Sequence, residues 1–312
     1  MPNFTTPDVA SPTTTPDDPR LGHLLGTKLT GGAVPRAVLV GFPSDEGVHR
    51  NGGRVGAAGA PDEIRRMLFR LTPDAEHFEE SVDLIEHTLD LGNLVLCDDV
   101  ERDQERLAEA LDALLVAGSF VIVLGGGHET SFGHFQAYAM GGQRVDILNW
   151  DAHPDVRELK DGLGHAGSPF RQAILDPSGA CRRFIAAGLL PHVVARSHLE
   201  FIAAHGGRFV WRRDLSHARV DEIYRSLEGS AFVSFDLDAV EQAAAPGASS
   251  PSVGGITADL WLHAAYQAGR TQAVRSCDVV EMNPVYDRDN AAARLAAATV
   301  WNVLKGLAER DL

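Results

Sequence analysis

The sequence is poor in cysteine, and the three that it has, Cys97, Cys181 and Cys277, lie far apart. They form no Cys-x-x-Cys pair, so we expect neither a disulfide framework nor a zinc-thiolate site, and a reducing cytoplasm is the favoured location. Apolar runs stop within about six residues, far below the roughly 18 that cross a bilayer. The sequence therefore predicts a soluble protein without a membrane partner.

Basic residues are also scarce, because 28 Lys and Arg face 43 Asp and Glu and the formal net charge is -15. This excess of negative charge argues against binding to nucleic acid or to an anionic lipid surface, and it favours a small molecule or a cation as the partner. The first 20 residues, MPNFTTPDVASPTTTPDDPR, lack the basic and apolar regions of a signal peptide. Their composition predicts a disordered tail over residues 1–20.

The remaining residues, 21–312, contain no linker-like stretch, and with 44% hydrophobic residues in the chain they predict one domain. Short apolar runs alternate with longer amphipathic ones, as in βα units that build a parallel sheet covered by helices on both faces. We therefore predict an α/β fold with a doubly wound, mostly parallel sheet. Strands are expected at 37–41, 119–127, 145–150, 183–188, 208–211, 231–236 and 277–282, and helices from 61, up to 118, after 257 and over 289–308.

Polar residues with metal-binding side chains follow three of these predicted strands. Asp151, His153 and Asp155 come at alternate positions after the strand at 145–150, and alternate residues of an extended chain point to the same side. His128 follows the strand at 119–127 behind three glycines, and the pair Asp236 and Asp238 ends the strand at 231–236. Because ligands gather at the carboxyl ends of parallel strands, these six residues are expected to meet.

A cluster of two histidines and four aspartates is costly to bury without cations. Two divalent ions would balance the four negative charges, whereas one ion would leave an excess. Carboxylate oxygens mixed with imidazole suit Mn²⁺ better than Fe, Co, Ni or Zn. Asp151, His153 and Asp155 alone are equally compatible with a solvated polar loop, and only the other strand ends favour a binuclear site.

Four motifs taken together resemble the ureohydrolases, the family of arginase, agmatinase and formimidoylglutamase. They are GGGH at 125–128, DAHPD at 151–155, SFDLD at 234–238 and VVEMNP at 279–284, and they occur in the family's order. The resemblance implies the three-layer arginase-like fold and two Mn²⁺ ions per subunit. It also implies a homo-oligomer, either a trimer or a hexamer.

The resemblance further implies a role for each residue. One Mn²⁺ would be bound by His128, Asp151, Asp155 and Asp236, and the other by Asp151, His153, Asp236 and Asp238, so that two of the aspartates bridge. A bridging hydroxide would attack the amidine or guanidine carbon, and Asp155 would carry a proton to the leaving amine. Glu281 would pair with the amidinium group, unless it is a glutamate at the edge of the core with only local partners.

Three loops favour formimidoylglutamase within this family. The stretch RNGGRVGA at 50–57 is similar to its form, and there Asn51 and Arg54 are candidate contacts for the substrate carboxylates. Arg54 is equally compatible with a role in tying the loop to its own backbone or to a neighbouring subunit. In GHAGS, Ala166 stands where arginases and agmatinases have a histidine, and His165 is a candidate substrate contact or an exposed loop residue. The chain also lacks the acidic-proline pair that usually follows SFDLD.

The leading hypothesis is therefore hydrolysis of N-formimidoyl-L-glutamate to L-glutamate and formamide in histidine degradation. Agmatinase, or another amidinohydrolase of guanidino compounds, is the closest alternative. Two further alternatives are a non-catalytic relative that keeps the fold and a mononuclear zinc enzyme of the deacetylase type. The number of bound metal ions and a panel of substrates would separate these four hypotheses.

Overall fold

Short runs of β-branched and aromatic residues form the strands of one sheet in this computed structural model, which describes residues 2–7, 9–15, 17–26 and 34–310. Within these residues the strands are β1 Phe4–Thr5, β2 Ala37–Phe42, β3 Thr88–Leu94, β4 Phe120–Gly125, β5 Val145–Trp150, β6 Cys181–Leu189, β7 Arg208–Trp211, β8 Ser230–Asp236 and β9 Val274–Val280. The order across the sheet is β1-β3-β2-β4-β9-β8-β5-β6-β7. All neighbouring strands are parallel except β1, which is antiparallel to β3.

Helices cover both faces of this sheet. They are α1 Leu21–Leu24, α2 Glu46–Asn51, α3 Ala60–Leu68, α4 Phe78–Glu86, α5 Val100–Ala117, α6 Thr130–Met140, α7 Pro169–Leu175, α8 Arg196–Ala204, α9 His217–Arg225, α10 Ala258–Arg270 and α11 Ala291–Ala308. One core packs beneath α3, α9, α10 and α11, and a second core packs beneath α5, α6, α7 and α8. Alternate residues of β2 enter opposite cores: Leu39 faces the first, and Val38 and Val40 face the second. The predicted fold class is confirmed.

All seven predicted strands and all four predicted helices are present, with bounds shifted by a few residues. β3 was not predicted, because Asp90, Gly92 and Asn93 interrupt its apolar pattern. The three cysteines carry free thiols. Among the described residues, no helix combines the length and the apolar character needed to cross a membrane.

The amino-terminal segment differs from the predicted disordered tail at β1. Phe4 pairs with Leu94 and Thr5 with Asn93, so β1 fills the edge of β3 that β2 leaves open. Phe4 also packs against the second core. Residues 1, 8 and 16 of the predicted tail lie outside the described residues. The physical reason for the difference is that an unpaired strand edge offers backbone hydrogen bonds even to a short segment.

Candidate metal centre

Four neighbouring strands, β4, β9, β8 and β5, carry the polar residues that the sequence singled out. His128 follows β4, Glu281 follows β9, Asp236 ends β8, and Asp151 follows β5. Because all four strands are parallel, their carboxyl ends meet at one edge of the sheet. The strand order therefore brings together motifs that are more than 100 residues apart in the chain.

Close backbone contact determines where His128 lies. A Cβ atom on Gly126 would lie 1.8 Å from the carbonyl oxygen of Ser44, so only glycine allows this approach. The amide of Gly126 donates to Phe42 O, and that of Gly127 donates to Ser44 O. These bonds fix the chain after β4 against the loop after β2. The imidazole of His128 follows directly and is fully buried.

The first group of potential metal ligands surrounds His128 Nδ1. This nitrogen lies 2.8 Å from Asp155 Oδ2, 2.9 Å from Asp236 Oδ2 and 3.6 Å from Asp151 Oδ2. It forms no hydrogen bond of good geometry with any of the three. All four side chains are buried, and their ligand atoms lie within 4.8 Å of one another. A nitrogen and three carboxylate oxygens thus converge on one point.

The second group shares Asp151 with the first. His153 Nδ1 lies 3.4 Å from Asp151 Oδ1 and 3.2 Å from Asp238 Oδ2. Asp238 Oδ1 is buried and has no hydrogen-bond partner among the described residues. Asp236 belongs only to the first group, and its Oδ1 accepts the Asp238 N–H at 2.8 Å. A bridging role for Asp151 is compatible with this geometry, and one for Asp236 stays a prediction.

The pKa values of these groups show the cost of the uncompensated negative charge. Burial, followed by the charges of Asp238 and Asp151, raises the pKa of Asp236 well above its usual value. Burial likewise raises the pKa of Asp238 to about 7. The pKa of His153 rises to about 12, because the charges of Asp238 and Asp151 outweigh the opposing effect of burial. Without cations the cluster holds protons instead, so the donor set fits two divalent ions.

Glu281 lies between this cluster and the cavity in front of it. Its Oε1 accepts the backbone N–H of His128 at 2.7 Å, and its own N–H donates to Gly126 O. Burial raises the pKa of this carboxyl group, and contact with Ser249 opposes the rise. The backbone of Glu281 has φ +63°, in a region that L-residues rarely adopt. Strain of this kind is typical of functional sites.

A polar cavity opens in front of the two groups. Its lining consists of Val48, Asn51, Gly53, His153, Asp155, Arg157, Ala166, Asp236, Asp238, Ser249, Ser250 and Glu281. Of the three predicted substrate contacts, only Asn51 is in this set. Asp155, which has φ +45°, faces both the cavity and His128. Small polar molecules can therefore reach the candidate metal ligands directly.

The other two predicted contacts, Arg54 and His165, do not line the cavity. The guanidinium of Arg54 donates to the carbonyls of Ala248 and Ser249 and stacks on Tyr286. Arg54 therefore ties its loop to the backbone of a different segment, residues 248–249, rather than to the loop's own backbone. His165 is 1% exposed, so the alternative of an exposed loop residue is wrong.

A buried hydrogen-bond network supports His128 from behind, and sequence reasoning missed it. His128 Nε2 lies 3.0 Å from Ser234 Oγ, which donates to Asp278 Oδ1 at 2.5 Å. Asp278 Oδ2 accepts from Ser131 at 3.0 Å and contacts His134 Nδ1 at 2.8 Å. A carboxylate acting on a histidine in this way fixes the ring orientation. A charged residue within the apolar run of β9 was the signal that could have revealed it.

Glu129 is a second supporting residue that the sequence did not single out. Its Oε1 accepts the Gly47 N–H at 3.0 Å and the Ser44 hydroxyl at 3.1 Å. These bonds hold α2, which ends at Asn51, against the chain that follows β4. Burial, and then the charge of Glu281, raises the pKa of Glu129 to about 8.

Comparison with known proteins agrees with the motifs. The sequence profile described as the arginase family matches residues 35–305. A Salmonella arizonae protein named formimidoylglutamase is 34% identical over 281 residues, which cover 85% of this chain and 83% of the relative. A Rhodococcus jostii protein of the same name is 32% identical over 300 residues, covering 90% and 89%.

A solved structure with a related name is also similar to this chain. Trypanosoma cruzi formiminoglutamase with Mn²⁺₂ superposes with a TM-score of 0.85 and 29% sequence identity, covering 94% of this chain and 100% of that chain. The resemblance drawn from the four motifs is confirmed by these matches. The chain belongs to the arginase family.

Proposed function

We propose that this protein is a binuclear-manganese hydrolase that converts N-formimidoyl-L-glutamate and water to L-glutamate and formamide. The observation that carries this proposal is the pair of ligand groups that share Asp151 directly beside Glu281. The names of the relatives support the substrate, and the Mn²⁺ in the Trypanosoma cruzi structure supports the metal. The reaction belongs to histidine degradation. We further propose that the protein is cytoplasmic and forms a trimeric or hexameric homo-oligomer.

Each ligand group would hold one Mn²⁺. The first would be bound by His128, Asp151, Asp155 and Asp236, and the second by Asp151, His153 and Asp238, with Asp236 as a further bridging ligand. When bound by these residues, two Mn²⁺ ions would lower the pKa of a water molecule so that it could act as the nucleophile near neutral pH. Residues 21–312 would form the single catalytic domain that supplies all of these side chains.

Glu281 and Asp155 would act on the substrate itself. The Glu281 carboxylate pairs with the amidinium group and holds its carbon next to the ligand groups, since its other side is fixed by the His128 N–H. The oxygen atom of the attacking water adds to that carbon, and the bond between the carbon and the glutamate nitrogen then breaks. Asp155 accepts one proton of the attacking water and delivers it to this nitrogen. The hydroxyl proton of the intermediate then passes to the released amine, so that the amidinium substrate and water become formamide and an ammonium group.

The test is a substrate panel with Mn²⁺-loaded protein. We expect formamide release from N-formimidoyl-L-glutamate and little turnover of agmatine or arginine. Elemental analysis should find about two Mn²⁺ per chain, as a binuclear site requires. Turnover of agmatine or arginine instead would support the amidinohydrolase alternative. One tightly bound zinc per chain would indicate a site of the deacetylase type, and no turnover of any substrate would indicate a non-catalytic relative.

Glu281→Gln provides an internal comparison for this test. It keeps the size of the side chain but removes the charge that pairs with the amidinium group. The variant should retain two Mn²⁺ per chain and lose turnover by about 100-fold or more, because the reacting carbon is no longer held in place. Full activity in this variant would contradict the role given to Glu281.

A further inference from the structure

Two histidines and two aspartates with metal-binding side chains also meet outside the metal centre, between α9 and α10. They are His217 and Asp221 on α9 and Asp259 and His263 on α10, and we call them the α9–α10 cluster. All four side chains are partly exposed, and none of them lines the cavity in front of the ligand groups. The cluster therefore has no part in the chemistry described above.

The helix repeat and the sheet order determine where these four residues lie. His217 and Asp221 are four residues apart on α9, and Asp259 and His263 are four residues apart on α10, so each pair shares one face of its helix. Both helices connect strands that are parallel in the sheet, so they run in the same direction. At each of two levels, a histidine of one helix therefore faces an aspartate of the other.

The carboxylates leave one nitrogen of each ring available. His263 Nε2 lies 2.8 Å from Asp221 Oδ1, and His217 Nε2 lies 3.1 Å from Asp259 Oδ2. A carboxylate can only accept, so a neutral imidazole that faces it carries its proton on Nε2 and keeps a lone pair on Nδ1. Neither Nδ1 has a hydrogen-bond partner among the described residues. Carboxylates orient metal-binding histidines in this way.

The two imidazole rings are at a distance that allows both to bind one ion. Their centroids lie 4.7 Å apart, and the ring planes are inclined at 63°. With metal–nitrogen bonds of about 2.1 Å and an angle of about 90–109° at the metal, two imidazoles on one ion have centroids roughly 4.5–5.2 Å apart. Among the described residues, three or more ligand atoms converge only in the metal centre, so water would complete the coordination between α9 and α10.

We propose that His217 and His263 bind a divalent transition-metal ion of the Zn²⁺ class through Nδ1, and that Asp259 and Asp221 orient the two rings. Imidazole nitrogens suit Zn²⁺, whereas Mn²⁺ prefers carboxylate oxygens, so this site and the metal centre select different ions. The bound ion would join α9 to α10 and offset the charges of the two aspartates. This site does not depend on the proposed function.

The test counts the metal ions bound by the full chain at pH 7.5, with excess Mn²⁺ present to keep the metal centre filled. Wild type and variants are dialysed against buffered Zn²⁺, and elemental analysis gives Zn²⁺ and Mn²⁺ per chain. Wild type should bind one more Zn²⁺ than His263→Ala, with equal Mn²⁺ in both. His217→Ala should lose the same ion, because a second ligand on the same chain raises affinity by about 100-fold or more.

Two further measurements distinguish a metal site from a purely structural contact between the helices. Asp221→Asn should keep the extra Zn²⁺ but bind it about tenfold more weakly, as expected when a carboxylate that orients a ligand is lost. Zn²⁺ should raise the melting temperature of Mn²⁺-loaded wild type and should not raise that of His217→Ala, since an ion that binds only the folded state stabilises it. A structural contact alone would give no such dependence on Zn²⁺.

His87→Ala is the matched control. His87 is likewise exposed at the end of a helix, and its Nδ1 lies 3.4 Å from Asp83 Oδ1, but no second imidazole contacts it within the described residues. This variant should bind Zn²⁺ as wild type does. Equal Zn²⁺ in wild type and His263→Ala would overturn the inference, as would an equal loss in His87→Ala. Loss of Mn²⁺ from His263→Ala, or oligomers that grow with Zn²⁺, would also contradict a separate site within one chain.

Discussion

The ring nitrogens of His165 face two backbone groups of opposite character. Nε2 lies 2.9 Å from the carbonyl oxygen of Glu158, and Nδ1 lies 3.1 Å from the backbone nitrogen of Gly167. A carbonyl can only accept and an amide N–H can only donate, so the ring is neutral with its proton on Nε2. The lowered pKa of His165, caused first by burial, agrees with this form. His165 therefore joins Glu158, in the chain after Asp155, to the loop that contains Gly167.

Replacing His165 tests this structural role. His165→Ala leaves the N–H of Gly167 and the carbonyl of Glu158 without partners, so the free energy of unfolding should fall by about 2 kcal/mol at pH 7.5. Because the pKa of the folded state lies below the unfolded value near 6.5, the stabilisation is complete above that pH. It is lost as the pH falls through the folded pKa. Urea unfolding of metal-free wild type and variant should therefore differ less at pH 5.5 than at pH 7.5.

His192→Ala serves as the control for this comparison, because His192 is exposed and forms no side-chain hydrogen bond within the described residues. It should match wild type at both pH values. A difference between wild type and His165→Ala that stays constant from pH 7.5 to 5.5 would contradict the neutral form of His165.

Individual residues of the candidate site were predictable where a strand fixes their direction. His128, Asp151 and Asp236 follow apolar runs that had to be strands, and the parallel sheet brings their ends together. Arg54 and His165 lie in loops, where the direction of a side chain depends on partners that the sequence does not reveal. The position of Arg157 in the cavity lining was not predicted, although this residue lies two positions after Asp155, in the same alternating pattern.

At the scale of elements, α3 and β3 are joined by a fully buried arginine. Arg65 donates to Asp90 through Nε at 2.8 Å and through Nη2 at 2.9 Å. It also donates to Asn93 Oδ1 at 2.6 Å and to Gly92 O at 3.0 Å. The polar residues that hid β3 from prediction are thus the ones that bind Arg65. These polar residues are compatible with a buried strand only because Arg65 of α3 binds them.

Breaking this pair should destabilise the protein strongly. Arg65→Met leaves the carboxylate of Asp90 buried without a counter-charge, so the free energy of unfolding should fall by about 3–5 kcal/mol. The double variant Arg65→Met/Asp90→Asn removes that charge and should recover part of the loss. Urea unfolding of both variants, with the same metal content, measures the two effects.

Arg66→Met is a close control, since Arg66 is the next residue, is exposed and pairs with Glu63 on the same helix. It should change stability by no more than about 0.5 kcal/mol. If the double variant were as unstable as Arg65→Met alone, the loss would come from packing rather than from the uncompensated charge.

For the molecule as a whole, the ligand groups couple metal content to stability. Their aspartates are buried among like charges, and bound cations remove this unfavourable interaction. The melting temperature of chelator-treated protein should rise as Mn²⁺ is added and continue to rise with its concentration. At 100 times Kd, one bound ion stabilises the folded state by about 2.7 kcal/mol. Differential scanning calorimetry measures this dependence.

Asp238→Ala is expected to bind one Mn²⁺ fewer and to show a smaller rise in melting temperature. Mg²⁺, which binds imidazole poorly, should stabilise the wild type less than Mn²⁺ does. A melting temperature that does not respond to Mn²⁺ would contradict the assignment of these residues as ligands.

The order of strands also affects how the protein can be made. β9 lies between β4 and β8, although it follows both of them in the chain. Until β9 is inserted, the ends of β4 and β8, which carry His128 and Asp236, have no common neighbouring strand to hold them together. A chain in which β9 has not yet paired is therefore expected to have solvated aspartates and two open strand edges, on β4 and on β8. We therefore expect both ligand groups to form only after β9 has entered the sheet, and we expect aggregation through the open strand edges to compete with folding until then.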